Sequence, residues 1–267
     1  MRTYFIFLWV VTLTVKSSEV FFIVPARTAQ AVNDKITELK MLGYPFVIVC
    51  GEKVNLPNVV YRERRGKYDA INYGANFLSA QTKIVCLNDV DTKIFNFEKA
   101  LEKICGSVAV LVFCKLKLKS GLQVHFYSMM DRIRKILQIT SSGELMLIRR
   151  EVFESILPLP PCKTEDNYMS FKVLELGYNS TFCEDCFVET ERTISYEEEK
   201  AYKTRTVTGV YQALSQTKTK PLIRVFYLFL PFISPLLLLQ GRRGLSWLKG
   251  IVQGVTCFLI GDKDGKF

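Results

Sequence analysis

The segment Ile84-Val-Cys-Leu-Asn-Asp-Val-Asp-Thr92 decides the fold, because an apolar run ends there in two carboxylates spaced two residues apart. A short, continuous apolar run is typical of a strand that is buried on both faces of a parallel sheet. Such a strand would carry Asp89 and Asp91 to the edge of the sheet, where their oxygens suit a hard divalent cation bridged to a diphosphate. The alternative interpretation is a plain N-terminal cap for the following helix.

Predicted strands and helices alternate on both sides of this segment. Upstream, residues 19–24 and 45–50 are predicted strands, and the helix between them ends at Gly43. Downstream, a helix is predicted over Phe97–Cys105 and a strand over residues 144–148. This alternation predicts an α/β fold with a mixed central sheet, in which ligands bind at the carboxyl ends of the strands.

Three further elements are predicted in the middle of the chain. Residues 108–119 end in Lys115-Leu-Lys-Leu-Lys119, an alternation that predicts an edge strand with one basic face. A helix is predicted over residues 68–79 and another over residues 123–137.

Thr164-Glu-Asp166 is predicted to open a helix that ends near Gly177. Acidic residues are favoured in a first helical turn, so a capping role is the alternative to a functional one. The dipole of this helix would lower the pKa of Asp166 and keep its carboxylate ionised, able to receive a hydroxyl proton.

The apolar residues of the chain are concentrated at its ends. The 267 residues are 49% hydrophobic and carry a formal net charge of +10. We expect an N-terminal anchor over residues 1–18, a globular domain over 19–215, and membrane-associated helices over 216–267. The positive charge suits an anionic membrane surface or a diphosphate. Since no nucleic-acid-binding motif accompanies it, no nucleic acid partner is predicted.

The eight cysteines carry little functional signal. Most lie in or beside apolar runs, where a free cysteine behaves as a small buried hydrophobe. Cys183-Glu-Asp-Cys186 has the spacing of a zinc or redox pair, but no second pair at matching spacing accompanies it.

The motifs together resemble the family 2 glycosyltransferases, an inverting group with the GT-A fold. The resemblance covers about residues 20–215 and keeps the family's order. The matching segments are Ile23-Val-Pro-Ala-Arg27, Gly66-Lys-Tyr-Asp-Ala-Ile-Asn-Tyr-Gly74, Asp89-Val-Asp-Thr92, Gly143-Glu-Leu-Met-Leu-Ile-Arg-Arg150, Thr164-Glu-Asp166, Gly177-Tyr178, and Arg205 before Gly209.

The resemblance implies a role for each matched residue. Asp89 and Asp91 would hold Mg²⁺ or Mn²⁺ as the family's Asp-x-Asp motif, and Asp166 would be the catalytic base. Glu165 and Arg205 would complete the catalytic group. The residues that would bind the donor are Pro25, Ala26, Arg27, Glu52, Lys67, Asn72 and Asp89.

The same resemblance implies the substrates. The donor would be a nucleoside diphosphate sugar, and the acceptor would be lipid-linked or a glycan. Members with apolar tails of this kind act at membranes, so a membrane-associated protein with its catalytic domain facing the cytoplasm is expected.

The chain departs from the family pattern at two places. After the second strand it has Cys50-Gly-Glu-Lys53 where the family usually has an aspartate and a Ser-x-Asp turn, so only Glu52 could contact the base or the ribose. Processive members carry Gln or Arg, two spacers and then Arg-Trp, whereas residues 202–206 keep Arg205 and lose the Gln and the Trp. Transfer of a single sugar is therefore favoured over polymer synthesis.

Two other functions are open at this stage. A nucleotidyltransferase could use the same acidic pair, although the Pro25-Ala-Arg27 turn lacks the glycines of its phosphate loop. A basic membrane-surface protein that keeps the fold without turnover is the second alternative, although both acidic motifs are present.

Overall fold

The computed structural model describes residues 15–122, 124, 127, 131–132, 143–192 and 194–261. The predicted anchor up to residue 14 and most of the predicted helix over 123–137 lie outside the described residues. The strands are β1 Val20–Ala26, β2 Phe46–Cys50, β3 Val59–Tyr61, β4 Ile84–Asn88, β5 Lys93–Phe95, β6 Leu111–Ser120, β7 Leu145–Arg149 and β8 Ser180–Glu191. The helices are α1 Val32–Leu42, α2 Lys67–Gly74, α3 Phe97–Cys105, α4 Arg150–Ile156, α5 Glu165–Glu175, α6 Tyr196–Gln216, α7 Pro221–Ile233 and α8 Arg242–Leu259.

The strands form one mixed sheet in the order β3-β2-β1-β4-β7-β6-β8-β5. The first half, from β3 to β4, is parallel, and β7 then pairs antiparallel to β4. The predicted α/β fold with a mixed sheet is therefore confirmed. β4 lies near the middle, so both of its faces are covered and all five of its residues are buried.

The core occupies both faces of the sheet, because successive residues of a strand point to opposite sides. On β1, Phe22 points to the side that α1 and α3 cover, whereas Ile23 points to the side of α2, α4 and α5. Helix α2 lies so close to β1 that a Cβ added at Gly74 would come 2.5 Å from Ile23 Cγ2. The helix predicted to reach residue 79 ends at this contact, and a 3₁₀ turn, Ala75–Phe77, follows.

The predicted edge position of β6 is wrong. β6 lies between β7 and β8, although β7 pairs only with its first residues, 111–113. The basic face is balanced by acids of β8: Lys117 Nζ lies 2.7 Å from Glu189 Oε1, and Lys119 Nζ lies 3.4 Å from Glu189 Oε2. The lysine alternation thus reflects cross-strand ion pairs and not a solvent-facing edge.

The C-terminal segment packs back onto the sheet domain through α6. Helix α7 and the 3₁₀ segment Ser234–Gln240 lead into α8, which lies along α6. The contact is close, since Thr208 Oγ1 donates to the carbonyl of Gly254 at 3.0 Å and a Cβ at Gly254 would meet Val207 Cβ at 2.8 Å. Pro221–Gln240 has the length and mean hydropathy, 2.1, of a membrane span, and only 17% of it is buried.

A second buried hydrogen bond joins α8 to α6, and its removal should loosen the C-terminal segment. Trp247 Nε1 donates to Glu199 Oε1 at 2.7 Å, and Glu199 is 2% exposed. We expect Trp247→Phe to lower the free energy of unfolding by about 2–4 kcal/mol, because it removes the donor to a buried carboxylate and part of the ring volume. Urea denaturation followed by circular dichroism measures the loss.

Glu199→Gln is the matched control, because its amide oxygen still accepts from the indole. We expect that variant to lose about 1 kcal/mol or less. A Trp247→Phe protein that unfolds at the same urea concentration as the wild type would contradict the assigned role of this bond.

Candidate active site

A cleft of about 1480 Å³ opens at the carboxyl ends of β1 and β4. The predicted site residues that line it are Pro25, Ala26, Arg27, Lys67, Asp89, Asp91, Glu165, Asp166 and Arg205. They come from segments far apart in the chain, which the parallel strand order brings to one edge of the sheet. This is the position at which α/β sheets bind ligands.

The remaining two predicted residues hold backbone near the cleft. The Glu52 carboxylate accepts from the Ala29 N–H at 2.9 Å and from Arg64 Nη2 at 2.6 Å, which fixes the loop after β1. The Asn72 amide makes two hydrogen bonds to the backbone of Leu159, at 2.8 and 2.9 Å. The polar atoms of both side chains are thus hydrogen-bonded to other residues of the protein.

The acidic turn begins where β4 ends. The Asp89 N–H donates to the carbonyl of Glu144 at 3.1 Å, which continues the pairing of β4 with β7 by one residue. Burial raises the pKa of Asp89, and Lys67 opposes that rise. Asp91 is exposed on the cleft wall. Two carboxylates therefore project from one short turn, one half-buried and one open to solvent.

Lys67, the first residue of α2, joins the two acidic motifs. Its Nζ lies 2.6 Å from Asp89 Oδ1 and 2.8 Å from Glu165 Oε1. Burial alone would lower the pKa of Lys67, but the two carboxylates outweigh it and hold the pKa well above its usual value. Lys67 therefore stays charged and supplies a cation at the junction of the motifs.

Glu165 and Asp166 differ in their environments, although they are neighbours at the start of α5. Glu165 is buried and paired with Lys67. Asp166 packs against Gly143, where an added Cβ would lie 3.0 Å from the Asp166 Cγ. Asn167 Nδ2 donates to Asp166 Oδ1 at 3.3 Å. Both acids line the cleft. Among the described salt bridges, Glu165 has an ion-pair partner and Asp166 has none.

The expected lowering of the Asp166 pKa by the helix dipole is wrong. Burial and the neighbouring Glu165 carboxylate raise the pKa of Asp166 to about 7, and the charge of Lys67 offsets only part of the rise. Desolvation and a like charge at close range exceed the partial charge of a helix terminus. The carboxylate is therefore a stronger base than an ordinary aspartate.

The acidic turn fits a divalent cation that arrives with a diphosphate. Among the described residues, no group of three or more His, Cys, Asp or Glu could hold a metal ion. Asp89 and Asp91 offer two carboxylates, and Mg²⁺ in phosphate-handling sites is usually held by one or two carboxylates with phosphate and water oxygens around it. These two carboxylates therefore suit a cation whose other ligands come from a bound diphosphate and from water.

A second ion pair borders the cleft, and no pattern in the sequence predicts it. Arg192 Nη2 donates to Glu144 Oε1 at 2.6 Å, and its guanidinium lies 4.6 Å from the centre of the Tyr202 ring. Burial opposes this charge, but Tyr202 and Glu144 raise the pKa of Arg192. Arg192 directly follows β8, which was not predicted as a strand, so no pattern placed it at the sheet edge.

The far end of the cleft is apolar and is built by the C-terminal segment. Its lining residues there are Phe226, Tyr227, Leu230, Ile233, Leu236, Leu237 and Ile251. Beside them, apolar side chains are exposed on the outer surface, among them Leu228, Phe229, Phe232 and Leu239. Arg205 and Lys203 of α6 line the cleft between its acidic and apolar ends.

Comparison by sequence finds no matching protein family model and no matching curated protein. Comparison by structure finds the mannosyltransferase PcManGT from Pyrobaculum calidifontis, solved with GDP-Man and Mn²⁺. It is 17% identical with a TM-score of 0.70, and the alignment covers 92% of this chain and 88% of that one.

Two further solved structures share the architecture. TarS 1–349 from S. aureus is 14% identical with a TM-score of 0.52, and 89% of this chain and 81% of that chain align. GalNAc-T7, solved with UDP, GalNAc and Mn²⁺, is 12% identical with a TM-score of 0.55, and 90% of this chain covers 56% of that one. At these identities the likeness is one of fold. The chain has the GT-A glycosyltransferase fold.

The raised pKa of Asp166 predicts a stability cost that grows with pH. Between about pH 4 and pH 7 the folded protein keeps a proton that the unfolded chain loses, so stability falls as pH rises through this window. We expect Asp166→Asn to raise the free energy of unfolding by about 1–3 kcal/mol at pH 8, since part of the carboxylate reaches solvent and reduces the full cost.

At pH 4 the same variant should differ little from the wild type, because Asp166 is protonated in the folded protein and about half protonated in the unfolded chain, which leaves only a small cost. Thermal unfolding of the metal-free protein at both pH values makes the comparison. An equal shift at pH 4 and pH 8 would show that ionisation of this group does not carry the cost.

Proposed function

We propose that the protein transfers a single sugar, with inversion, from a nucleoside diphosphate sugar to a lipid-linked or glycan acceptor at a membrane surface. One observation carries this proposal. A single cleft on the GT-A fold brings together the acidic turn at Asp89 and Asp91, cationic side chains, and a carboxylate of raised pKa. An amphiphilic lipid is the acceptor class that the apolar end of the cleft favours.

The donor would occupy the part of the cleft between β1 and β4. The segment from Pro25 to Arg27 ends β1 and lies where a nucleoside would meet the sheet edge, and Glu52 fixes the loop that follows it. Lys67 and Arg205 place positive charge beside the position of a diphosphate. Preorganised cations of this kind stabilise the charge that develops on a leaving group.

Mg²⁺ or Mn²⁺, held by Asp89 and Asp91 together with the diphosphate oxygens, would neutralise negative charge on the leaving nucleoside diphosphate. PcManGT and GalNAc-T7 were both solved with Mn²⁺. That likeness supports the assignment of the acidic turn, which rests on its two cleft-lining carboxylates.

Asp166 would act as the general base. The acceptor oxygen bonds to the anomeric carbon while the bond from that carbon to the diphosphate oxygen breaks, and the acceptor proton passes to the Asp166 carboxylate. One displacement inverts the anomeric configuration. A base with a pKa of about 7 is half ionised near neutral pH, which is where proton transfer by a carboxylate is most efficient.

The membrane part of the proposal rests on the C-terminal segment. Its exposed apolar residues lie beside the apolar end of the cleft, so a lipid could reach the cleft without leaving an apolar environment. Basic residues lie near the two ends of its apolar stretch, Pro221–Gln240, at Lys218, Lys220, Arg224, Arg242 and Arg243. Basic flanks favour the anionic cytoplasmic leaflet, in agreement with a catalytic domain that faces the cytoplasm.

A panel of nucleoside diphosphate sugars tests the reaction. The protein is incubated with each donor and a lipid extract, with and without chelator, and release of nucleoside diphosphate is measured. We expect release with at least one donor, its loss on chelation, and a fall in turnover of about 10²-fold or more for Asp166→Asn. Asp185→Asn, on the exposed surface of β8, is the control and should keep full turnover.

Two outcomes would overturn the proposal. Release of pyrophosphate from a nucleoside triphosphate would assign nucleotidyl transfer, and a product that keeps the donor's anomeric configuration, determined by NMR, would exclude a single displacement.

The membrane contact has its own test, which uses a chain that starts at residue 15 so that the predicted N-terminal anchor does not mask the result. We expect Leu228→Glu with Phe232→Glu to abolish flotation with vesicles of anionic phospholipid, because both side chains are more than 60% exposed and neither lines the cleft. Met41→Glu on α1, where the side chain is 84% exposed, is the control and should float normally. Unchanged flotation of the double variant would show that this face does not meet the membrane.

A further inference from the structure

A buried lysine lies beneath the acidic turn. The side chain of Lys35, on α1, is 1% exposed. Its ammonium has three hydrogen-bond acceptors, one for each of its protons: Glu38 Oε2 at 2.6 Å, Asn88 Oδ1 at 2.7 Å and the carbonyl of Thr92. Burying an ammonium is expensive unless it is paired and fully hydrogen-bonded, and this one is both.

The partners of Lys35 enclose the acidic turn from its two ends. Asn88 precedes Asp89, and its Nδ2 donates to Thr92 Oγ1 at 2.9 Å and to the carbonyl of Glu144 at 2.7 Å. Thr92 follows Asp91, and its Oγ1 donates to the carbonyl of Asp89 at 2.9 Å. The three residues of the turn are thus closed into a loop whose ends meet at the Lys35 ammonium.

The network reaches one step further along the chain. The second oxygen of the Glu38 carboxylate accepts from the Ile94 N–H at 2.5 Å. Lys35 and Glu38 belong to α1, so this helix is tied to both ends of the acidic turn through Lys35 and to β5 through Glu38. One hydrogen-bonded network therefore connects α1, the acidic turn and β5.

We propose that Lys35 is a positioning residue that holds the Asp89 and Asp91 carboxylates in the arrangement that binds the divalent cation. The inference rests on the proposed function, because it assigns that cation to this turn. Lys35 lines no part of the cleft, so it acts through Asn88 and Thr92 and does not touch the substrate.

Electrostatics and positioning predict opposite effects of removing Lys35. A cation beneath the turn repels a metal ion, so its loss by charge alone would tighten metal binding. Loss of the hydrogen-bonded support would let two mutually repelling carboxylates move apart, and outer-shell partners of metal ligands are typically worth about 10–100-fold in affinity. If Lys35 is removed together with its partner Glu38, the net charge is unchanged and charge alone predicts little change in affinity, whereas loss of the support predicts weaker binding.

The test measures Mn²⁺ binding without turnover, by electron paramagnetic resonance of free Mn²⁺ with a nucleoside diphosphate present. The variant is Lys35→Met with Glu38→Gln, which avoids leaving a buried carboxylate unpaired and keeps an oxygen for the Ile94 N–H. We expect its Kd for Mn²⁺ to rise by about tenfold or more. Lys40→Met, exposed on the same helix, is the control and should bind as the wild type does.

A second pair of variants tests the same role without changing Lys35. Thr92→Val removes the hydroxyl that links Asn88 to the Asp89 carbonyl and leaves Lys35 in place, whereas Thr92→Ser keeps that hydroxyl. We expect weaker Mn²⁺ binding for the valine variant and rescue by the serine. These two proteins decide the question if the Lys35 variant does not fold.

The outcomes separate this inference from the function on which it rests. Equal or tighter Mn²⁺ binding by the folded variants would overturn the positioning role while the proposed transfer stands. A wild-type protein that binds no Mn²⁺ in the presence of a nucleoside diphosphate would overturn the metal assignment itself, and the positioning role with it.

Discussion

The site depends on the repulsion among carboxylates that the fold gathers at one edge of a buried sheet. Asp89, Glu144, Glu165 and Asp166 come from three separate segments and meet in one cleft. Like charges at such distances cannot all ionise unless cations lie among them. The single charge of Lys67 is shared between Asp89 and Glu165, and Arg192 pairs with Glu144, so two cations pair with three of these four carboxylates. Asp166 has no such ion pair among the described salt bridges, and burial together with the Glu165 charge raises its pKa.

The C-terminal segment encloses one end of the cleft that contains these carboxylates. Helix α8 packs on α6, and the apolar residues of α7 and α8 form the far end of the cleft. The segment is therefore a wall of the cleft as well as a surface with exposed apolar residues. Deletion of residues 216–267 would open the site in addition to removing the proposed membrane contact, so such a truncation cannot separate the two roles.

Much of the architecture was predictable from the sequence, because it depends on local patterns. The apolar run of β4, the cap glycine after α1 and the acidic start of α5 each have a period or a terminal signal that one segment carries by itself. β8 was missed because Glu184 and Asp185 stand at an irregularity in its pairing with β6, where the alternation of a strand is interrupted. The predicted edge position of β6 was wrong for a related reason, because its lysines pair with acids on β8, a strand that was not predicted.

The chemical state of the site was less predictable than its composition. The residues around Asp166 that set its pKa come from α2, from the start of β7 and from α5 itself, and no sequence window contains them all. A helix-terminus argument uses only the local part of that environment. Burial and the Glu165 charge reverse the direction of the pKa shift, and both depend on distances that the sequence does not contain.

The raised pKa of Asp166 also bears on how the proposed base would respond to binding of the proposed donor. A nucleoside diphosphate sugar carries about two negative charges, and a divalent cation carries two positive ones, so their complex adds little net charge to the cleft. The pKa of Asp166 would then be set mainly by the protein, through burial first and then through Glu165, Lys67 and Glu144. A base whose strength is independent of donor binding can be ionised before the donor arrives. In that case ionisation of the carboxylate lowers the stability of the folded protein, and it does not add to the barrier of the transfer step.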